Sequence, residues 1–176
     1  MKIFVAGPRA VTELSGTIIS RIDNIIKQDF EILVGDANGI DSAIQKECFN
    51  RGYKLVKIYA TNGSVRNNIG KWNVECVDVP KKLKGFEYYA AKDYQMAIDA
   101  DYGFMIWNGR SKGTLNNMIN LLKFDKMVML YFIPDGKLYK ISNINGLNFL
   151  VDQLDNDVKN LYEKFLKKTE QLTLSL

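Results

Sequence analysis

This chain of 176 residues contains no histidine. Ser-His-Asp and Cys-His catalysis and histidine-ligated metal sites are excluded, so any proton transfer falls to carboxylate, lysine, tyrosine or cysteine. Cysteine is scarce: Cys48 and Cys76 stand far apart, with no metal-ligand spacing. No metal site is expected, and a reducing, cytoplasmic setting is the simplest account. Long apolar runs are missing, so no membrane segment is expected. The apolar stretch at residues 3–6 is too short for a signal peptide and reads as a strand. Neither Gly-x-Gly-x-x-Gly nor Gly-x-x-x-x-Gly-Lys-Ser/Thr occurs, which removes the usual dehydrogenase and nucleoside-triphosphatase signatures.

Charged residues make up an ordinary 25% of the chain, but little of that charge is left unbalanced. Twenty-four basic against 20 acidic residues leave +4. That suits an anionic ligand, but without a clustered patch it does not argue for nucleic acid, which is disfavoured as a partner. The run Lys81, Lys82, Lys84 reads as a solvated face. A hydrophobic fraction of 47% fits one globular domain over residues 1–176.

What the chain does have is three glycine-bearing turns, each directly after a short apolar run. They are Gly7-Pro8-Arg9, Gly35-Asp36-Ala37-Asn38-Gly39-Ile40-Asp41 and Asn108-Gly109-Arg110-Ser111-Lys112-Gly113-Thr114. Strands are expected at 3–6, 32–34, 55–60, 103–107 and 127–133, with an edge strand at 138–141. Apolar residues at helical spacing mark a first helix from Val11 through Ile26, a second from Ile40 to about Phe49, and a third over 88–100. A fourth begins near Ser111, and a long C-terminal helix is expected over about 146–168, packing on the domain or forming a subunit interface. Residues 61–88 are the least regular, with a strand-like piece at 74–79. Alternating strands and helices predict an α/β, Rossmann-like, open and mostly parallel sheet with helices on both faces.

In such sheets ligands gather at the carboxyl edge of the strands, where glycine allows close approach and helix N-termini offer free amides to anions. Arg9 can pair with phosphate or carboxylate. Asp41 can accept ribose hydroxyls or cap a helix. Ser111 is placed to cap the fourth helix, with Gly113 and Thr114 in its first turn. Trp72, Tyr88, Tyr89, Tyr94 and Trp107 are the aromatic candidates for stacking; Trp107, ending a strand, reads as core. Cys48 has the spacing of a buried helix residue and is given no nucleophilic role.

Taken in order, these residues resemble the SLOG superfamily of Rossmann-like nucleotide-derivative binders, over roughly residues 3–133. The branch it looks most like has a Gly-x-Arg turn, matched by Gly7-Pro8-Arg9, and a Gly-Gly-Ala-x-Gly-x-Asp turn, matched at Gly35, Ala37, Gly39 and Asp41. It also has a helical Arg-Asn pair, for which this chain shows Lys92-Asp93, and a Gly-Gly-x-Gly-Thr turn, matched loosely at Asn108 to Thr114. The resemblance implies ligand contacts from Gly7, Pro8, Arg9, Gly35, Asp36, Ala37, Gly39, Asp41, Lys92, Asn108, Gly109, Arg110, Ser111, Gly113 and Thr114. Lonely-guy phosphoribohydrolases and nucleoside deoxyribosyltransferases share the layout but would carry a catalytic glutamate where this chain has Asn117. Asparagine can be neither general base nor carboxylate nucleophile.

No catalytic residue and no cofactor beyond the ligand itself is therefore expected. The leading expectation is binding or sensing of a nucleotide-derived or ribose-phosphate small molecule, with assembly into a homo-oligomer. One alternative is an N-glycosidic hydrolase or transferase using Asp36, Asp41 or Asp93. The other is a single-stranded DNA binder, as in the related DNA-processing proteins.

Overall fold

A computed structural model describes residues 1–80 and 82–173, with side chains as far as residue 167. Its elements run β1 (Lys2–Ala6), α1 (Gly16–Lys27), β2 (Glu31–Gly35), α2 (Ile40–Asn50), β3 (Val56–Thr61), β4 (Asn73–Val77) and α3 (Gly85–Asp99). They continue with β5 (Tyr102–Trp107), α4 (Lys112–Lys123), β6 (Val128–Phe132), β7 (Lys137–Ile141), α5 (Ile144–Val151) and α6 (Asn156–Thr173). One seven-stranded sheet has the order β4-β3-β2-β1-β5-β6-β7. All neighbours pair parallel except β7, which returns antiparallel on β6 through a tight turn. This is the expected Rossmann-like α/β fold.

Period-two alternation sorts each central strand onto two cores. Ile3 and Val5 face one side with Ile18, Ile22 and Ile25 of α1 and Ile40, Ile44 and Cys48 of α2. Phe4 and Ala6 face the other with Met96 and Ala97 of α3, Leu115 and Met118 of α4, and the C-terminal helices. The chain builds outward from β1 to β4, then crosses back to place β5 on the other side of β1. Strand order reverses there, which opens a crevice beyond the carboxyl ends of β1 and β5.

Two expectations change. α1 starts at Gly16, with Ser15 Oγ accepting from Ile18 N at 3.4 Å. Val11 and Leu14 lie in the preceding loop and only pack against the core, so their spacing reflects burial rather than helix. The single C-terminal helix over 146–168 is two helices, α5 and α6. Gln153 N and Leu154 N bond three residues back to Leu150 O and Val151 O, tightening the last turn. Asp155 and Asn156 follow, residues that favour turns over helix interiors. Leu147, Leu150, Leu154 and Val158 contact one core from both sides of this break, so their period runs straight through it. The strand-like piece expected at 74–79 is the edge strand β4.

Candidate functional site

The crevice holds a cavity of about 470 Å³, lined from four strand ends and helix starts. The end of β1 supplies Phe4, Ala6, Gly7 and Arg9, and the β2 turn supplies Gly35, Ala37 and Asp41. α3 contributes Phe86, Tyr89, Lys92 and Asp93, while the start of α4 contributes Ser111, Gly113, Thr114 and Asn117.

The glycines have distinct local causes. A Cβ on Gly7 would lie 2.7 Å from Ile40 Cγ1, so this glycine admits the start of α2 against the end of β1. Gly39 has φ +82°, and its Cβ would lie 2.4 Å from the Arg9 carbonyl oxygen. The first two turns therefore interlock, and Ile40 N donates to Pro8 O at 3.2 Å. At Gly35 a Cβ would meet Asp41 Oδ2 at 2.3 Å and Lys92 Nζ at 2.8 Å, so its hydrogen leaves room for a buried polar cluster. Gly113 has nothing within 4 Å of its Cβ position, because the first turn of α4 is open to the cavity.

That cluster is the electrostatic centre of the site. Lys92 is buried, and its Nζ donates to Asp93 Oδ1 at 2.6 Å. Burial alone would lower its pKa, but Asp93, Asp41 and Asp36 together raise it, so it stays charged. Burial pushes the Asp41 carboxyl up to about 6, against the pull of Lys92. Asp41 does not act as an N-cap: Gly39 occupies that position, and Asp41 Oδ2 accepts from Ala37 N at 3.2 Å, bracing its own turn.

Asp36 points away from the large cavity. It accepts from Arg66 N at 3.1 Å, Nε at 3.0 Å and Nη2 at 2.5 Å. Burial opposes its ionisation, but these bonds and Lys92 outweigh it and hold the carboxyl below its ordinary value. Gln45 completes the clamp: its Nε2 donates to Gly35 O at 2.9 Å, and its Oε1 accepts from Ile69 N at 3.0 Å. Asn67 Nδ2 donates to Asp36 O at 2.8 Å. The guanidinium carbons of Arg66 and Arg9 lie 4.8 and 4.7 Å from the centre of the Tyr89 ring. A small second cavity of about 80 Å³ opens at Thr61, Ser64, Arg66, Tyr88 and Tyr89, so Tyr89 walls both spaces.

The third turn is built by side-chain caps. Asn108 Oδ1 accepts from Arg110 N at 3.1 Å and Ser111 N at 2.8 Å, while Ser111 Oγ accepts from Thr114 N at 3.4 Å. Asn108, Gly109, Arg110, Pro8 and Gly39 do not line the cavity; they shape the turns around it. Arg110 is 80% exposed and lies 3.4 Å from Asp155 of the C-terminal segment. Of the aromatic candidates, only Tyr89 lines the large cavity, joined by Phe86. Trp107 is core, and so is Trp72, whose Nε1 donates to Tyr53 O at 3.0 Å. Tyr94 packs on Phe124. Cys48 is buried and its thiol is pushed up to about 12 by burial, an inert environment.

Sequence reasoning missed Arg66 as a site residue. The available signal was the dipeptide Arg66-Asn67 itself, an Arg-Asn pair on a loop rather than on the helix where one was sought. Asp41 and Asp93 are the carboxylates at the cavity, and Asn117 stands there in place of a third. Its side chain is buried and its Oδ1 takes no hydrogen bond. Among the described residues, no cluster of acidic or cysteine side chains could hold a metal ion, and no helix is long and apolar enough to cross a membrane.

Two solved structures share this architecture. DNA processing protein A from Helicobacter pylori matches with a TM-score of 0.59 at 14% identity, over 96% of this chain and 81% of that one. DNA processing protein A from Streptococcus pneumoniae matches with a TM-score of 0.54 at 21% identity, over 86% of this chain and 56% of the other. The likeness is one of fold, a Rossmann-like α/β sheet. This chain spans little more than half of the S. pneumoniae protein. No family model and no curated protein matches the sequence. The H. pylori structure is described by a single-stranded DNA binding mode. That neighbour overturns the expectation that nucleic acid is disfavoured as a partner, an expectation drawn from net charge, which says little about where cations sit.

Proposed function

We propose that this protein binds single-stranded DNA, seating one nucleotide in the cavity at the carboxyl edge of the sheet. The observation that carries this reading is the Tyr89 ledge, with two guanidiniums within 5 Å of one ring that also walls the cavity. Ring faces bordered by cations are the recurrent means of holding a single strand without reading its sequence. Arg9 and the open first turn of α4 suit the phosphate, and Phe86 and Tyr89 give the base aromatic walls to pack against. The single-stranded DNA described for the fold neighbour supports the same assignment.

A 20-nucleotide labelled strand, titrated by fluorescence anisotropy at two salt concentrations, tests this. Binding should favour the single strand over the duplex and weaken with salt. Arg9→Ala should weaken binding about tenfold and reduce the salt slope by about one. Absence of strand binding at tens of micromolar protein would sink the proposal.

A second reading has its own support, since about 470 Å³ falls within the range of small-molecule sites. A free nucleotide derivative, bound with its phosphate at Arg9 and its sugar or base toward Asp41 and Lys92, fits the same space. Thermal shift with mononucleotides but no strand binding would select it.

A further inference from the structure

Among the described residues lining the cavity, Asn117 has a buried side-chain oxygen, Oδ1, with no hydrogen-bond partner. The residue is 3% exposed and sits one helical turn beyond Thr114 on α4. Among the described residues nothing bonds its Nδ2 either. A buried carboxamide without partners costs stability, and proteins keep such a group chiefly where something else completes it. Its neighbours in the cavity are acceptor-rich: Asp41 and Asp93 line the same space, and one oxygen of each is already engaged, by Ala37 N and Lys92 Nζ.

We infer that Asn117 reads the nucleobase, its carboxamide pairing with the edge of an amino-bearing base, adenine or cytosine, in preference to thymine. This rests on the nucleotide-binding reading above. A carboxamide sets N–H donors beside an oxygen acceptor in one plane, which pairs with an amino group beside a ring nitrogen. It also pairs with the N3–H and O4 of thymine, so the preference needs Asn117 and the carboxylates acting together on one base. Spare carboxylate oxygens nearby welcome the second amino hydrogen, which thymine lacks. Phe86 and Tyr89 give the same cavity aromatic walls; Phe86 is stacked on Phe165, and Arg9 and Arg66 lie over the Tyr89 ring.

The test compares 20-nucleotide dA, dC and dT strands on the unaltered protein and on Asn117→Leu, with thermal unfolding of each unliganded protein. The unaltered protein should bind dA and dC at least about tenfold more tightly than dT. In Asn117→Leu the three affinities should fall within about twofold of one another. The unliganded variant should unfold at the same or a higher temperature, because hydrocarbon replaces an unpaired amide of similar size. A base preference that survives in Asn117→Leu overturns the inference, as does strand binding by the unaltered protein with no preference among bases. Should the leucine variant not fold, Asn117→Asp keeps the shape and removes the donor, and it too must lose the preference. If no strand binds the unaltered protein, the DNA reading fails. Mononucleotides then carry the same comparison: a base order lost in the variant supports the role of Asn117, and no base order overturns it.

Discussion

Asp41 is the residue whose protonation matters most to the fold. Its carboxyl ordinarily titrates at 3.8 and is raised to about 6 by burial, facing Lys92, Asp93, Asp36 and the Ala37 amide. Between those two values the folded protein holds a proton that the unfolded chain releases, so stability from this group falls as pH rises from about 4 to 6. Asp41→Asn keeps an acceptor for Ala37 N and removes the buried charge. It should stabilise the protein at pH 7.5 by on the order of 1 to 3 kcal/mol and flatten the decline across that window. Urea unfolding at pH 4.5 and 7.5 measures both effects; an unchanged slope with pH would refute the assignment. Asp36 behaves oppositely: its carboxyl is depressed, so its contribution is present above about 4 and is lost below.

At the scale of elements, the loop after β3 depends on a few side chains rather than on regular structure. Arg66, Asn67 and Ile69 all bond to the β2 turn or to Gln45 behind it. Arg66→Ala would leave the buried Asp36 carboxylate without its guanidinium. A cost of about 1 to 3 kcal/mol is expected, below that of a fully buried pair because a third of the Arg66 side chain stays in solvent. Limited proteolysis should then cut within residues 62–71 before any global unfolding. No such cut at a measurable stability loss would show that the loop is held otherwise. The dependence explains why these residues read as irregular. Their order comes from contacts some 30 positions away in sequence, to which local periodicity is blind. The α5–α6 break was hidden for the converse reason, since Leu150 and Val158 share one core and keep one period across a turn.

For the molecule as a whole, the open, mostly parallel α/β sheet followed from what local sequence records well. Short apolar runs ending in glycine located β1, β2 and β5, and Ser111 marked the start of α4. These same turns meet because parallel strands bring every carboxyl end to one edge. Residue roles were less legible. Gly7 and Gly39 serve the packing of one turn on another, and Arg110 lies out in solvent beside Asp155. Only the tertiary arrangement brings Arg66 to the other side of Tyr89 from the cavity.

The buried indole of Trp107 has a spectroscopic consequence. Its Nε1 donates to the carbonyl oxygen of Ser111 at 3.1 Å, the residue that caps α4 beside the cavity. An anion seated at that helix start alters the electric field along the same hydrogen bond. The other indole, Trp72, is anchored to Tyr53 beneath α2 and lines neither of the cavities at the sheet edge. Intrinsic emission should therefore report ligand binding through one fluorophore while the second serves as an internal reference. Trp107→Phe should abolish the ligand-induced change in emission and Trp72→Phe should preserve it, so that unlabelled protein can be titrated with unlabelled ligand.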